Sequence, residues 1–225
     1  MANRPIYYSL NVPPFYEKCD NSFEFHSGFA VSQKQKNIRG LHESYLQQHP
    51  ETSILEISSK SEKKLGVMLS AFNLQFSRNN HIYTVETAFQ GSKVFENGAQ
   101  YMDLYYGTSL EAKKDTRLKE SGKIVHFQFE GEVFPNEPQT FFYNWLYISA
   151  LNDNKELAAE VMRYDSFSDI EFNEKKSINC QAIAAAIYVG LVKGSMLEKA
   201  LSSKENFLNI VYGQERKYEQ ISLFD

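Results

Sequence analysis

The sequence predicts an α+β fold: a helix-rich single domain, residues 1–225, with a small sheet. Three observations lead there. Several stretches carry apolar residues at helical spacing, whereas KIVHFQFEGEVF (123–134) alternates with period two, placing Val125, Phe127 and Phe129 on one face and His126, Gln128 and Glu130 on the other. The chain of 225 residues is 42% hydrophobic with 17 Phe and 14 Tyr, enough for one large core but too little for three independent ones.

The elements follow in order. Residues 1–30 mix aromatics with Pro5, Pro13, Pro14, Asn21 and Gly28, which excludes a long helix and leaves room for short edge strands such as Phe23 to Phe25. Ser32 to Gln48 forms a helix with Ile38, Leu41, Tyr45 and Leu46 as its seam, ended by His49-Pro50. SILEI (53–57) is a short buried strand. It runs into Ser58-Ser59-Lys60-Ser61 and then helix-compatible sequence from Glu62 to Leu69, the layout of either an anion-binding turn or a plain capped turn. Ser109 to Glu120 carries interleaved Lys and Glu and predicts an exposed, internally ion-paired helix. Apolar QTFFYNWLYISAL (139–151) predicts a buried helix containing the lone Trp145, and Lys155 to Tyr164 predicts another. The small residues of AIAAAIYVGLV (182–192) permit close packing at the centre. Met196–Leu201 and Phe207–Val211 complete the core, and Ile221, Leu223 and Phe224 are the apolar points of a polar tail.

The stretch TVETAFQGSKVFENG (84–98) organises the chain. Thr84 can cap a helix, Gly98 can close it, and Val85, Ala88, Phe89, Ser92 and Phe95 share one side. On the other side Glu86, Gln90, Lys93 and Asn97 form a polar stripe. In a continuous helix Glu86 and Lys93 stand roughly 10 Å apart along the axis. That stripe suits either a solvated face or two groups gripping different parts of a ligand. Downstream, DSFSDIEFNEKKSINCQ (165–181) brings Asp165, Asp169, Glu171 and Glu174 within ten residues, and an extended DIEF places Asp169 and Glu171 on one face.

The net charge of −4 provides no global basic field for a nucleic-acid backbone, so any nucleic acid must be held locally. Cys19 and Cys180 have no zinc or disulfide spacing, and no apolar run is long enough for a membrane span, so a soluble cytoplasmic protein is expected. A nucleophile elbow, a supported Cys–His pair and a Gly-x-Gly-x-x-Gly turn are all missing from the sequence, and the carboxylates lack the accompanying residues of a metal loop; no metal and no cofactor are expected. The chemistry therefore falls to carboxylates and lysines. Glu86 and Lys93 with Asp169 and Glu171 suit cleavage at an anomeric carbon: a carboxylate moves a proton or stabilises an oxocarbenium-like centre, and an amine binds phosphate or attacks an opened sugar.

Phe72-Asn73-Leu74, Val85-Glu86-x-x-Phe89-Gln90-x-x-Lys93, Ala112-Lys113, Trp145, Asn154-Lys155-Glu156-Leu157 and Asp169-Ile170-Glu171 with Asn179 resemble the NADAR family, whose central motif reads roughly Glu-His-x-x-Gln-Ala-x-Lys; Thr87 stands here in place of the His. The resemblance spans about 58–193, leaving 1–57 as a more specialised part. Ile57 to Ser61, the QKQKN run and Lys176 to Gln181 are similar to the branch paired with DarT-type toxins, which attach ADP-ribose to guanine in DNA. The resemblance implies a helix-rich α+β fold like that of riboflavin-pathway N-glycosidases. It also implies an antitoxin enzyme that removes ADP-ribose from guanine, functionally paired with its toxin. Under it, Glu86 transfers a proton or orients substrate, Lys93 contacts sugar or phosphate or acts as a covalent amine, and Asp169 or Glu171 binds ribose or assists acid/base chemistry. Lys60 meets the diphosphate, Gln90, Asn73, Asn179 and Gln181 position polar edges, and Trp145 is a stacking candidate. A small-molecule N-glycosidase and a noncatalytic toxin binder are the alternatives.

Overall fold

The computed structural model describes residues 1–222, with side chains through Gly213, so the expected packing of Ile221, Leu223 and Phe224 lies outside the described residues. Strands β1 (Ala2–Ser9) and β2 (Tyr16–Phe23) pair antiparallel, Ala2 opposite Phe23. Helix α1 (Val31–Gln48) follows, then β3 (Ile54–Glu56) and α2 (Lys64–Met68). Strands β4 (Gln75–Arg78) and β5 (His81–Thr84) form a hairpin whose two turn residues, Asn79 and Asn80, take positive φ, the turn that matches strand twist. Helix α3 (Val85–Gly91), β6 (Lys93–Phe95), a 3-10 turn (Met102–Tyr106), α4 (Ser109–Lys114) and α5 (Arg117–Glu120) come next. Then come β7 (Ile124–Phe129), β8 (Glu132–Pro135), α6 (Phe141–Asp153), α7 (Lys155–Val161), β9 (Ser166–Ser168), α8 (Gln181–Lys193), α9 (Leu197–Leu201) and α10 (Lys204–Ser222). The described residues form an α+β single domain with three small sheets, ordered β2-β1-β9-β3, β4-β5 and β6-β7-β8.

The four-stranded sheet is covered on both faces, and its alternation shows how. Ile6 and Ile54 join the seam of α1 (Ile38, Leu41 and Tyr45) in one cluster. Their neighbours Tyr7 and Leu55, with Phe167, join the main core with α6 and α8. A strand with period two buries both faces only when each meets its own helix layer. Ala184, Ala185 and Ala186 are fully buried, as their size predicts. At Gly190 a Cβ would stand 2.3 Å from Leu10 O and 2.6 Å from Phe15 O, so α8 approaches the β1–β2 loop as closely as only glycine permits. Among the described residues no helix is long and apolar enough to cross a membrane.

Several sequence expectations are corrected. The organising helix is shorter than three turns: α3 stops at Gly91, and Lys93 to Phe95 pairs with β7 as a strand, with β-branched Val94 at its centre. Gly98 turns the chain after that strand, and Asn97 is exposed there. The 109–120 stretch is two helices broken at Asp115-Thr116, because the Asp115 side chain caps Arg117 N (2.9 Å) instead of continuing the first. The helix after the Ser58–Ser61 loop begins only at Lys64, and the amino-terminal strand ends at Phe23, short of Phe25. Val125 is exposed although Phe127 and Phe129 are buried. Asp169, Ile170 and Glu171 lie beyond the end of β9, in a turn and not an extended strand.

Candidate active site

A cleft of about 530 Å³ opens where the carboxyl ends of β3 and β9 meet the amino ends of α3 and α8. The loop after β3 supplies Ser58, Ser59 and Lys60, and the turn after α2 supplies Ser70, Ala71 and Phe72. Helices α3, α4 and α6 supply Glu86, Lys113 and Tyr143. The segment between β9 and α8 supplies Asp169, Glu171, Phe172, Asn173, Lys176, Ser177 and Asn179, and α8 opens with Gln181.

Local sequence fixes Glu86. Thr84 accepts from Thr87 N and Thr87 Oγ1 accepts from Thr84 N, each at 3.1 Å, a reciprocal cap at the start of α3. This is what Thr87 does in place of histidine: its side chain closes the helix end. Val85 N donates to Leu74 O (3.0 Å) and Glu86 N to Ala71 O (2.9 Å), which tie the first turn to the cleft wall. The Glu86 side chain is 5% exposed and accepts from Gln90 Nε2 at 2.7 Å, one helical turn on, while Lys113 Nζ lies 3.3 Å from the same oxygen. Lys93 Nζ donates to Gln90 Oε1 at 2.6 Å, completing a line of Lys93, Gln90 and Glu86 with Lys113 at its far end. Burial pushes the Lys93 ammonium down to about 8, partly opposed by Glu86, and the ammonium stands 4.9 Å from the Phe89 ring centre.

Six of the ten sequence-predicted residues line the cleft: Lys60, Glu86, Asp169, Glu171, Asn179 and Gln181. Their situations differ. Asp169 is half-buried, and desolvation at the cleft wall raises its carboxyl well above the usual carboxylate range. Glu171 is ion-paired to Lys34 of α1 at 2.9 Å. Gln181 accepts from Ala71 N and donates to Ile57 O, both at 2.7 Å, so its amide stitches two cleft loops together. Asn179 Oδ1 is buried with no hydrogen-bond partner among the described residues, an acceptor available to a ligand donor. Lys60 and Lys176 form no ion pair among the described residues.

Four predicted residues are placed elsewhere. Gln90 and Lys93 stand behind Glu86, outside the lining. Asn73 donates to Val67 O (3.0 Å) and Ser70 Oγ (2.9 Å), holding the turn after α2. Trp145 packs on Phe134 with ring centres 4.6 Å apart, in the core rather than at the cleft. Sequence reasoning missed Lys113, Tyr143, Lys176 and Ser177. Lys113 sits in a mixed-charge run whose partner is 27 residues away in sequence, a pairing that only folding reveals. Tyr143 is one aromatic in a run of them, and only the packing of α6 shows which faces the cleft.

Fold and site together define an α+β domain with a cleft of about 530 Å³, walled by a buried carboxylate tied to amide and lysine groups. The profile of the DarT1-associated NADAR antitoxin family matches residues 2–221, and the chain belongs to that family. No curated protein matches the chain.

Proposed function

We propose that this cleft hydrolyses the bond between ADP-ribose and the exocyclic nitrogen of guanine in DNA, reversing the modification made by the partner toxin. The observation that carries the reading is Glu86: an almost fully buried carboxylate on the cleft wall, oriented by Gln90 and Lys113. Breaking a C1–N bond develops positive charge on the anomeric carbon, and a preorganised carboxylate stabilises that charge or takes a proton from the attacking water. Lys93 orients Gln90 and, through it, Glu86. Lys60 and Lys176 supply cationic charge for a diphosphate, and the Asn179 carbonyl suits a base or ribose donor. The volume of about 530 Å³ lies within the range of sites that enclose a small ligand. Burial of Glu86 and Gln90 favours a reaction site over a noncatalytic toxin-docking face.

The test is a time course with an oligonucleotide ADP-ribosylated on guanine, beside thymine-modified and unmodified controls and free nucleotide-like ribosylamines. Release of ADP-ribose from the guanine adduct is expected. Glu86→Gln lowers kcat by roughly 10² to 10⁴ while the protein stays folded. Release from the free amine but not from DNA assigns the site to small-molecule N-glycoside hydrolysis instead.

A further inference from the structure

Behind Asp169 lies a second carboxylate that the reaction described above does not use. Glu56 ends β3, pairs in register with Ser168 of the parallel strand β9, and is 2% exposed. Its carboxylate grips both neighbours of Asp169: Ser168 Oγ donates to one oxygen and Ile170 N to the other, the latter at 2.9 Å. His42 Nε2 lies 2.8 Å from Ser168 Oγ. Because the serine proton is committed to Glu56, His42 is the donor in that contact and carries its proton on Nε2. A line therefore runs from His42 of α1 through Ser168 to Glu56, and Glu56 fastens the turn on which Asp169 enters the cleft.

The charge balance makes this arrangement unusual. Glu56 is buried and Asp169, two residues beyond the Phe167 register partner of Leu55, is half-buried at the cleft wall, and neither has an ion pair among the described residues. The cations around them form no ion pair with either among the described residues: Lys34 is held by Glu171, Lys63 lies near His42 and donates to the Tyr164 hydroxyl, and Lys60, Lys113 and Lys176 line the same cleft as Asp169. Tyr143 and Tyr147 of α6 and Cys180 before α8 are pushed up by burial and stay neutral, His42 is pushed down to about 4, and Glu171 is an anion already held by Lys34. Like charges so placed do not both ionise, and the anion settles where donors are most numerous. Glu56 has the Ser168 and Ile170 donors and a further bond from Ser58, whereas Asp169 accepts from Glu171 N (3.1 Å) and the Gln181 amide.

Building on the hydrolase reading, we infer that Glu56 is a positioning residue that holds the 168–170 turn and keeps the proton on Asp169, so that Asp169 is the acid that protonates the leaving nitrogen. The step balances. The C1–N electron pair passes to the guanine nitrogen, which takes the Asp169 proton; water oxygen bonds C1, and its proton goes to the Glu86 carboxylate. One water is consumed, and solvent restores both carboxyl groups. A protonated carboxyl kept at neutral pH beside an ionised one is the division of labour that acid/base hydrolysis needs.

Glu56→Gln tests this, because Ser168 can reverse its hydroxyl and accept from the new amide. The alkaline limb of the kcat profile, where Asp169 loses its proton, is expected to move down by about one pH unit or more, a drop of about tenfold on that limb, with KM near wild type. Ser168→Ala weakens the Glu56 anion, draws the proton towards Glu56 and moves the limb in the same direction; it serves if Glu56→Gln does not fold. In parallel, the carboxyl carbon resonance of Asp169, assigned by its loss in Asp169→Asn, is expected to report a protonated group at pH 7 in the wild type and an ionised one in Glu56→Gln. An unmoved limb with a uniform rate loss, or an ionised Asp169 in the wild type, overturns the inference and leaves the hydrolase reading standing. The carboxyl titration needs no turnover, so failure to release ADP-ribose from any adduct overturns the hydrolase reading, and with it the acid role, even where the proton is found on Asp169.

Discussion

At the scale of single residues, the cleft depends on charged groups held in low dielectric by named partners. Lys93 shows the consequence. Its unfolded ammonium ionises near 10.5, but burial lowers the folded value to about 8. Between those values the unfolded chain binds more protons at this residue than the folded one. Its contribution is therefore most favourable above about 10.5, declines as pH falls, and reaches its full penalty below about 8. Denaturant titrations across that window should show stability rising with pH more steeply in the wild type than in Lys93→Met. Equal slopes would mean that the amine is not desolvated as described. Glu86 differs, because its carboxylate receives both an amide proton and the nearby Lys113. Lys113→Met should lower kcat/KM by about tenfold or more, since a buried carboxylate then loses its only ion pair among the described residues.

At the scale of elements, the site is assembled from helix starts and strand ends that touch across loops. Helix α2 lies hard against β3: a Cβ on Gly66 would stand 2.0 Å from Glu56 O and 2.3 Å from Ser61 Oγ. The carbonyl is backbone and has nowhere to go, so Gly66→Ala should cost about 1–3 kcal/mol in chemical denaturation. The same variant should disturb the 58–61 loop, seen as a raised KM. The sequence made much of this legible. Helix α1, strand β3, the buried α6 and the Ala-rich α8 follow from periodicity, because each buries a face whose pattern is written in neighbouring residues. Residues 93–95 look helical in sequence because Val85, Ala88, Phe89, Ser92 and Phe95 fit a 3.6-residue repeat. The competing preference, pairing of Lys93 with Phe127, is set by a strand some thirty residues on. Trp145 and Tyr143 share one apolar run, and nothing local distinguishes the aromatic that packs on Phe134 from the one that lines the cleft.

At the scale of the whole molecule, a chain with net charge −4 must bind an anionic substrate through a local patch. Lys60 and Lys176 are brought into one cleft from segments more than a hundred residues apart, and under the proposed hydrolase reading they form that patch. The double variant Lys60→Ala/Lys176→Ala should raise KM by roughly tenfold or more with little change in kcat, and should flatten the dependence of KM on salt. A wild-type KM insensitive to salt would place the diphosphate elsewhere. The sequence by itself determined the α+β class and the longer helices and strands that periodicity encodes, and it singled out Glu86, Asp169 and Lys60 as candidates because their residue types suit sugar and phosphate chemistry. The tertiary structure alone decided that Lys93 serves Glu86 through Gln90, that Lys113 completes that line, and that Glu56 stands behind Asp169. Those pairings join residues distant in the chain, and their electrostatics exist only once burial has removed the water between them.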